Sequence, residues 1–201
     1  MLLVEQSLID AGLSPIAGVD EAGRGACAGP LVIASVILKD IHSPILTKLR
    51  DSKELSEKQR EELFPIIQEE SLSISVIKVE PSEIDERGVH VANLDGMRRA
   101  VHSLEIAPNY VLTDGYAISG MACPSLAIWK GDQIAPTISA ASIIAKVTRD
   151  RIMIELDEMY PGYGLAKHKG YITAAHTNAL NSLGVSEIHR KSYANIAKLL
   201  N

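Results

Sequence analysis

The amino-acid sequence predicts an α/β fold with a C-terminal helical extension, and three observations support this prediction. The chain has 201 residues, of which 46% are hydrophobic and 22% charged, as is typical of one globular domain. Between residues 14 and 159, short apolar segments that suit strands alternate with longer segments of helical periodicity. From about residue 160 only short helical patterns remain. We therefore expect a single domain over residues 1–201, in which about residues 160–201 form a basic helical appendage.

Strands are expected where short apolar runs meet charged residues or glycine. Residues 14–19 and 30–38 are the first two candidates, and the second is apolar on both faces, as in a fully buried strand. Residues 72–79 alternate in hydrophobicity, and residues 110–113 and 125–129 are two shorter candidates. These five segments supply the predicted sheet.

Helices are expected where apolar residues recur every three or four positions. Residues 139–159 form the clearest candidate. Ser56 and Gln59 have the form of a capping box that opens a helix over residues 57–70, which Pro65 should kink or shorten. Further helical segments are predicted over residues 89–104, 173–183 and 195–200.

The cysteines and the apolar runs indicate a cytoplasmic protein. Cys27 and Cys123 are too few for a disulfide framework and lack the spacing of a zinc site. Residues 1–12 contain no basic residue, so we expect no signal peptide. No apolar run reaches the roughly 20 residues that a membrane span requires. We therefore expect a cytoplasmic monomer that does not bind membranes.

The charge of the chain is unevenly distributed. The net charge of −5 argues against a nucleic-acid ligand held by overall attraction. Residues 160–201, however, carry Lys and Arg side chains against a single acidic residue, Glu187, so the acidic excess lies in residues 1–159. An acidic body with a basic tail suits a protein that holds metal in one part and phosphate in another. A solvated C-terminal face explains the same charges equally well.

Carboxylates follow three of the predicted strands. Asp20 and Glu21 come after the first strand, Asp114 after residues 110–113, and Asp132 after the last strand. Because adjacent side chains of a strand point to opposite faces, the first strand is expected to end before Asp20. Strand ends are where α/β sheets form sites, and hard cations prefer oxygen ligands. The sequence therefore predicts a site for two Mg²⁺ or Mn²⁺ ions that would clamp a phosphodiester.

A glycine-rich turn follows the first pair of carboxylates. Gly23 and Gly25 would let a ligand approach the backbone closely, and Arg24 could reach a phosphate oxygen. The turn is a candidate binding element for ribose or phosphate. A turn that only reverses the chain is the alternative.

Seven segments taken together resemble the ribonuclease HII family in order and spacing. They are AGVDEAGRGACAGP, DSKELSEKQR, LTDG, KGD, ISAASIIAKVTRD, HKGY and HRKSY, and the resemblance runs from about residue 16 to residue 193. The resemblance implies a ribonuclease H fold, with a five-stranded mixed sheet flanked by helices and a helical C-terminal extension. It also implies four acidic metal ligands, which fall on Asp20, Glu21, Asp114 and Asp132.

The resemblance further implies how a substrate is recognised. The turn Gly23-Arg24-Gly25 is expected to recognise the ribose 2′-hydroxyl, the group that distinguishes RNA from DNA. Tyr171 is expected to contact the ribonucleotide beside it. The expected partner is thus an RNA–DNA hybrid, or duplex DNA that contains ribonucleotides.

Several charged residues in these segments have two explanations. Lys53, Lys146 and Lys169 would neutralise backbone phosphates, although solvated surface lysines are an equally good explanation for each. Asp150 lies near two cations on the predicted helix and is expected to form an ion pair.

Two further features of these segments concern cysteine and histidine. His168, His176 and His189 match no zinc spacing, and we expect them on helical surfaces. Ala26-Cys27 stands where the family more often has proline and an aliphatic residue. Cys27 is expected to be a small buried hydrophobic residue.

Three functional hypotheses follow. The first is an endonuclease that hydrolyses the bond 5′ to a ribonucleotide in duplex DNA. The second is a general hybrid ribonuclease without preference for single ribonucleotides. The third is a non-catalytic nucleic-acid-binding module, which the four acids disfavour because acidic residues repel phosphate.

Overall fold

The computed structural model describes residues 4–44, 49 and 55–200. In that part of the chain the strands are β1 (Ile16–Ala22), β2 (Leu31–Leu38), β3 (Ser71–Val79), β4 (Tyr110–Asp114) and β5 (Ser125–Ile128). The helices are α1 (Val4–Asp10), α2 (Glu57–Glu69), α3 (Pro81–Arg87), α4 (Val89–His102), α5 (Pro136–Met159), α6 (Leu165–His168), α7 (Ala174–Leu183) and α8 (Ala194–Ala197).

The strands form one mixed sheet in the order β3-β2-β1-β4-β5. β1 pairs antiparallel with β2 and parallel with β4, while β3 and β5 occupy the two edges. This architecture confirms the predicted five-stranded mixed sheet. It also brings the carboxyl ends of β1 and β4 to the same edge of the sheet, where sites form in such folds.

Helices cover both faces of the sheet. On one face, alternate residues of β2 pack against α2 and α5, as in the contact of Val36 with a cluster that includes Ile67 and Ile144. On the other face, Ile33 and Val19 share a cluster with α3 and α4. β2 is therefore buried on both sides, as its apolar sequence predicts.

The start of α5 touches the backbone of β1. A Cβ atom at Gly18 would lie 2.2 Å from the carbonyl carbon of Thr137, so only glycine fits between the strand and the helix. Since alternate residues of a strand face the same side, Asp20 also faces α5. This close contact therefore sets the direction of the first candidate carboxylate.

The chain beyond α5 packs against the segment that follows β1. Cys27 and Ala28 share a hydrophobic cluster with Met153, Leu180 and Ile196. The buried Cys27 matches the predicted small hydrophobic residue. This packing places the C-terminal helices behind the glycine-rich turn.

Some predicted boundaries are wrong. β1 does not end at residue 19 but continues through Asp20 and Glu21, which pair with β2. α5 begins at Pro136 rather than at residue 139. α2 spans Glu57–Glu69, close to the predicted range, and includes Pro65. The helix predicted over residues 195–200 is the single turn α8, and α1 was not predicted. The predicted capping box at Ser56 is confirmed.

Within the described ranges, none of the helices combines the length and apolar character needed to cross a bilayer. Lys53, a candidate phosphate-binding residue, lies outside the described residues.

Candidate active site

A cavity of about 660 Å³ opens at the edge of the sheet where β1 and β4 end. It is lined by Asp20, Glu21, Ala22, Gly23, Arg24, Gly25, Arg60, Asp114, Gly115, Tyr116, Trp129, Lys130, Ser142, Lys146 and Tyr171. Two groups of these lining residues are relevant to function. We name Asp20, Glu21 and Asp114 the acidic wall, and the Gly23–Gly25 turn with Tyr171 the glycine–tyrosine wall.

The acidic wall is built by the pairing of β1 with β4. The parallel ladder pairs Val19 with Thr113, so Asp20 and Asp114 occupy the next position of the two strands. β4 ends at Asp114, so it has no residue that pairs with Glu21. Glu21 borders the cavity at this position. This geometry explains how two adjacent residues of one strand border the same cavity, although the predicted reason, an early strand end, is wrong.

Hydrogen bonds from the backbone orient two of these carboxylates. The Glu21 N–H donates to Oδ1 of Asp20 at 2.7 Å, and the Gly131 N–H donates to Oδ1 of Asp114 at 2.7 Å. The second bond ties the end of β4 to the 3₁₀ turn Gly131–Gln133. Asp132 lies in that turn and is fully buried, and it is absent from the residues that line the cavity. The structure therefore brings three of the four predicted acids to the cavity and places the fourth in the buried turn whose Gly131 N–H bonds to Asp114.

The acidic wall is electrostatically unfavourable when no cation is bound. Burial raises the pKa of Asp20 well above its usual value, and the charges of Glu21 and Asp114 raise it further, while a hydrogen bond with Ser142 opposes the shift. Carboxylates crowded in this way are the donor type that hard divalent cations prefer. Among residues 4–44, 49 and 55–200, however, no three His, Cys, Asp or Glu side chains are grouped closely enough to hold one ion. The donor set therefore fits Mg²⁺ or Mn²⁺, provided that the side chains approach one another further.

The glycine–tyrosine wall depends on the absence of a side chain at Gly23. Its φ is +93°, and a Cβ atom would lie 1.9 Å from Nε of Arg149. Gly25 has more space, since its nearest neighbour to such an atom would be Cε1 of Tyr171 at 3.9 Å. Gly23 is thus required by the arginine behind it. Gly25 leaves the surface beside the tyrosine ring open.

Two fully buried arginines hold the segment after β1 in place. Arg149 donates to the carbonyl oxygens of Pro30 and Ala28 at 3.0 and 3.2 Å. Arg190 donates to the carbonyl of Gly29 through Nε and Nη2, at 3.1 and 2.9 Å, and to that of Arg24 through Nη1 at 3.1 Å. Burial lowers the pKa of Arg149 to about 10, so it keeps its proton near neutral pH. The two guanidinium groups therefore act as internal clamps for the turn.

The side chain of Arg24 contacts two other residues that line the cavity. Its Nε lies 3.3 Å from a carboxylate oxygen of Glu21, and its guanidinium lies 4.8 Å from the centre of the Tyr116 ring. The side chain is 44% exposed, so this arginine remains accessible to a phosphate. It links the two walls electrostatically.

The predicted cationic residues have different environments. Lys146 lines the cavity, and its Nζ donates to Asp150 at 2.7 Å, which confirms Asp150 as an ion-pairing residue. Lys169 is buried and pairs with Glu57 at 3.2 Å, and it is not among the residues that line the cavity. Tyr171 lines the cavity with 38% of its surface exposed.

The prediction of surface histidines is wrong. His176 and His189 are each only 1% exposed, and their Nε2 atoms lie 3.2 Å apart. His168 stacks on His176 with ring centres 4.4 Å apart. The three histidines lie 8 and 13 positions apart and on separate segments, so helical periodicity does not indicate that they meet.

Sequence reasoning also missed other residues that line the cavity, namely Arg60, Tyr116, Trp129, Lys130 and Ser142. Trp129 and Lys130 directly precede the Gly131-Asp132 pair, and Trp129 is 79% exposed. A tryptophan three positions before a predicted acidic ligand is the sequence signal that could have placed Trp129 and Lys130 at the edge of the cavity.

Comparisons with known proteins identify the family of this chain. Residues 17–196 match the family model described as Ribonuclease HII. The chain is 54% identical to a ribonuclease HII of Rhodococcus erythropolis over 193 residues, which are 96% of this chain and 85% of the relative. The crystal structure of ribonuclease H2 from Pyrococcus horikoshii is similar with a TM-score of 0.80 and 31% identity, over 92% of this chain and 96% of that one.

A more distant structure shares the fold. Bst-RNase HIII, solved in complex with Mn²⁺, matches with a TM-score of 0.72 at 18% identity, over 96% of this chain and 72% of that one. The extent of the family match and the identity to the Rhodococcus protein establish membership beyond the fold. The chain therefore belongs to the ribonuclease HII family, whose members are ribonuclease H endonucleases.

Proposed function

We propose that this ribonuclease H hydrolyses the RNA strand of RNA–DNA hybrids and nicks duplex DNA on the 5′ side of embedded ribonucleotides. The observation that carries the proposal is that one cavity joins the acidic wall to the glycine–tyrosine wall. Carboxylates suit phosphodiester hydrolysis, and an open backbone turn suits recognition of a 2′-hydroxyl.

Different residues have different proposed roles in this reaction. The metal ligands would be Asp20, Glu21 and Asp114, and Asp132, from the buried turn next to Asp114, would complete the set. When bound, two divalent ions, Mg²⁺ or Mn²⁺, would activate the attacking water and stabilise the leaving oxygen. The Mn²⁺ complex of the more distant ribonuclease HIII supports this choice of ion.

The opposite wall selects the substrate. The Gly23–Gly25 turn reads the ribose hydroxyl through its backbone, and Tyr171 packs on the adjacent sugar or base. Arg24 and Lys146 neutralise phosphates of the substrate backbone, and Lys53 is proposed for the same role. Lys169 differs from Arg24 and Lys146 because it does not line the cavity, so its proposed phosphate contact requires its ion pair with Glu57 to open.

The products follow from the choice of nucleophile. At a lone ribonucleotide, the nucleotide on the 5′ side of the cleaved bond is deoxy and has no 2′-hydroxyl with which to attack. Water must then be the nucleophile. Cleavage should leave a 3′-hydroxyl on the DNA and a 5′-phosphate on the ribonucleotide.

The test uses two duplexes, one with a single ribonucleotide and one with a longer run of ribonucleotides, each with Mg²⁺, with Mn²⁺ and with EDTA. We expect metal-dependent nicking of both duplexes and, by mass spectrometry, 5′-phosphate products. Cleavage of the long run alone would favour the general hybrid ribonuclease, and binding without cleavage would favour the non-catalytic module. A 2′,3′-cyclic phosphate product, or full activity in EDTA, would contradict the mechanism.

The cytoplasmic location, the single-domain organisation and the monomeric state stay predictions. Sedimentation of the purified chain alone tests the monomeric state, and the expected result is one species of about 21.7 kDa.

A further inference from the structure

Two buried imidazoles lie behind the wall that carries Tyr171. The rings of His176 and His189 approach each other through their Nε2 atoms at 3.2 Å. Burial of a polar group costs free energy unless its hydrogen bonds are made. The partners of these rings therefore determine where each proton lies.

The partner at one end fixes the proton of His189. The backbone N–H of Ser186 donates to Nδ1 of His189 at 3.1 Å, and Oγ of Ser186 lies 2.9 Å from the same nitrogen. A backbone N–H can only donate, so Nδ1 of His189 carries no proton. A neutral His189 then holds its proton on Nε2 and donates it to His176.

The partner at the other end gives the same answer independently. Nδ1 of His176 lies 3.0 Å from the carbonyl oxygen of Tyr171. A carbonyl can only accept, so Nδ1 of His176 carries the proton and its Nε2 is available to accept from His189. In the series of hydrogen bonds from Ser186 through His189 and His176 to Tyr171, which we call the relay, every donor thus meets an acceptor while both rings are neutral.

The surroundings favour these neutral forms. Burial lowers the pKa of His189 to about 4, and the neighbouring His176 contributes to that shift. Burial also lowers the pKa of His176, and His168 adds to the effect. A second proton on His176 would lie on Nε2 and face the N–H of His189, and a second proton on His189 would lie on Nδ1 and face the backbone N–H of Ser186, so either one would break a hydrogen bond of this network.

This network holds the main chain of Tyr171 at both polar atoms. The Tyr171 N–H donates to the carbonyl of His168 at 2.9 Å, and its carbonyl accepts from His176. The neighbouring Gly170 carbonyl accepts from the N–H of Cys27 at 3.0 Å, which joins the tyrosine to the glycine-rich segment. The ring of Tyr171 then lies beside Gly25.

We propose that His176 is a positioning residue for substrate recognition, because the N–H at its Nδ1 holds the carbonyl of Tyr171 and thereby the ring that faces the cavity, while His189 keeps that proton on Nδ1 by donating to Nε2 of His176. An amide N–H in the place of Nδ1 would need no such control of the tautomer. The proposal rests on the proposed function, in which Tyr171 contacts the ribonucleotide. Neither histidine lines the cavity, so both act through the tyrosine.

Two conservative substitutions of His176 each remove one of its two hydrogen bonds, to His189 or to Tyr171. In His176→Asn the amide nitrogen stands near the place of Nδ1 and can still donate to Tyr171, but the bond to His189 is lost. In His176→Gln the amide oxygen reaches the place of Nε2 and can accept from His189, but the bond to Tyr171 is lost. Both variants lose one buried hydrogen bond, so a purely structural role predicts similar kinetics for the two.

The relay predicts a difference between them. At single ribonucleotides we expect kcat/KM of His176→Gln to fall by roughly tenfold, because part of the stacking by Tyr171 is lost, while His176→Asn stays within about twofold of the parent chain. His102→Ala, an exposed histidine at the end of α4, is the matched control and should be unchanged. In a Tyr171→Ala background, His176→Gln should add no further loss.

The outcomes separate the relay from the proposed function. A parent chain that cleaves no ribonucleotide-containing duplex would contradict the proposed function itself. An active parent with equal losses in the Asn and Gln variants, or with no effect of Tyr171→Ala, would overturn the relay.

A second measurement needs neither a variant nor activity. Nitrogen-15 NMR of the imidazoles in the intact chain at neutral pH should show His176 protonated on Nδ1 and His189 protonated on Nε2. Any other pair of tautomers, or a charged ring in either position, would overturn the relay.

Discussion

The acidic wall and the glycine–tyrosine wall border one cavity but are stabilised in opposite ways. In the acidic wall, the pKa of Asp20 is raised because burial and the charges of Glu21 and Asp114 disfavour its ionised form. In the glycine–tyrosine wall, guanidinium and imidazole groups meet backbone carbonyls, as Arg190 does at Gly29. The first wall holds unfavourable electrostatic energy in the protein alone, whereas the second contributes stability.

This difference shows which part of the site is arranged for chemistry and which part for shape. Crowded carboxylates become favourable when divalent cations bind between them. A satisfied hydrogen-bond network is complete beforehand and can present a rigid surface. Substitutions in the two walls should therefore separate activity from stability.

Asp114→Asn should have the largest effect on activity. Cleavage should fall by about a hundredfold or more, because several kcal/mol of charge stabilisation are lost with the ligand. The amide oxygen can still accept from Gly131, and one negative charge is removed, so the melting temperature should stay the same or rise. Single-turnover cleavage, binding by fluorescence anisotropy and thermal unfolding measure the three quantities.

Asp150→Asn is the matched control on α5. Asp150 pairs with Lys146 and with Arg60 instead of bordering the cavity, so its loss should reduce stability more than activity. If the control abolished cleavage while Asp114→Asn remained active, the assignment of metal ligands would be wrong.

Arg190→Lys should have the largest effect on stability. A lysine cannot reproduce the planar fork that donates to Gly29 and Arg24, so buried carbonyls lose their donors. The free energy of unfolding should fall by about 3 kcal/mol in urea denaturation. Lys191→Arg, at the neighbouring exposed position, should leave it unchanged. An unaltered midpoint for Arg190→Lys would show that the clamp contributes nothing to stability.

Acid should weaken the glycine–tyrosine wall through His189. The folded-state pKa of about 4 lies below the ordinary value of 6.5, so the unfolded chain takes up a proton first as the pH falls. Stability that is fully present above pH 6.5 should therefore be lost between pH 6.5 and about 4, by on the order of 2 kcal/mol. His189→Gln should remove this part of the slope. Urea unfolding of parent and variant across that range measures it, and parallel curves would refute the assignment.

The sequence predicts the acidic wall better than the glycine–tyrosine wall. Asp20, Glu21 and Asp114 could be placed because strand periodicity and strand ends are local features, and the motifs around them resemble one family. Even there, the end of β1 was misplaced, since the pairing that extends it comes from β2, a separate segment.

The second wall depends on contacts between distant residues. Arg190 reaches Gly29 across 161 positions, and His176 meets Cys27 across 149. No periodicity indicates such contacts, which is why the histidines were predicted on the surface. Gly23 was predicted to let a ligand approach the backbone, whereas the arginine that requires glycine there becomes evident only from packing.

Trp129→Ala should have the smallest effect. This variant tests whether the edge of the cavity at Trp129 takes part in substrate binding. Trp129 is 79% exposed, so its removal should change the melting temperature little. An indole at the edge of the cavity can stack on a base or sugar, and such contacts are worth about 1–3 kcal/mol. We expect the substrate Kd to rise by roughly five- to tenfold with kcat unchanged. Leu126→Ala, a partly exposed apolar residue of β5 outside the cavity lining, is the matched control. If the two variants bind equally well in anisotropy titrations, the exposed indole takes no part in binding and recognition is confined to the glycine–tyrosine wall.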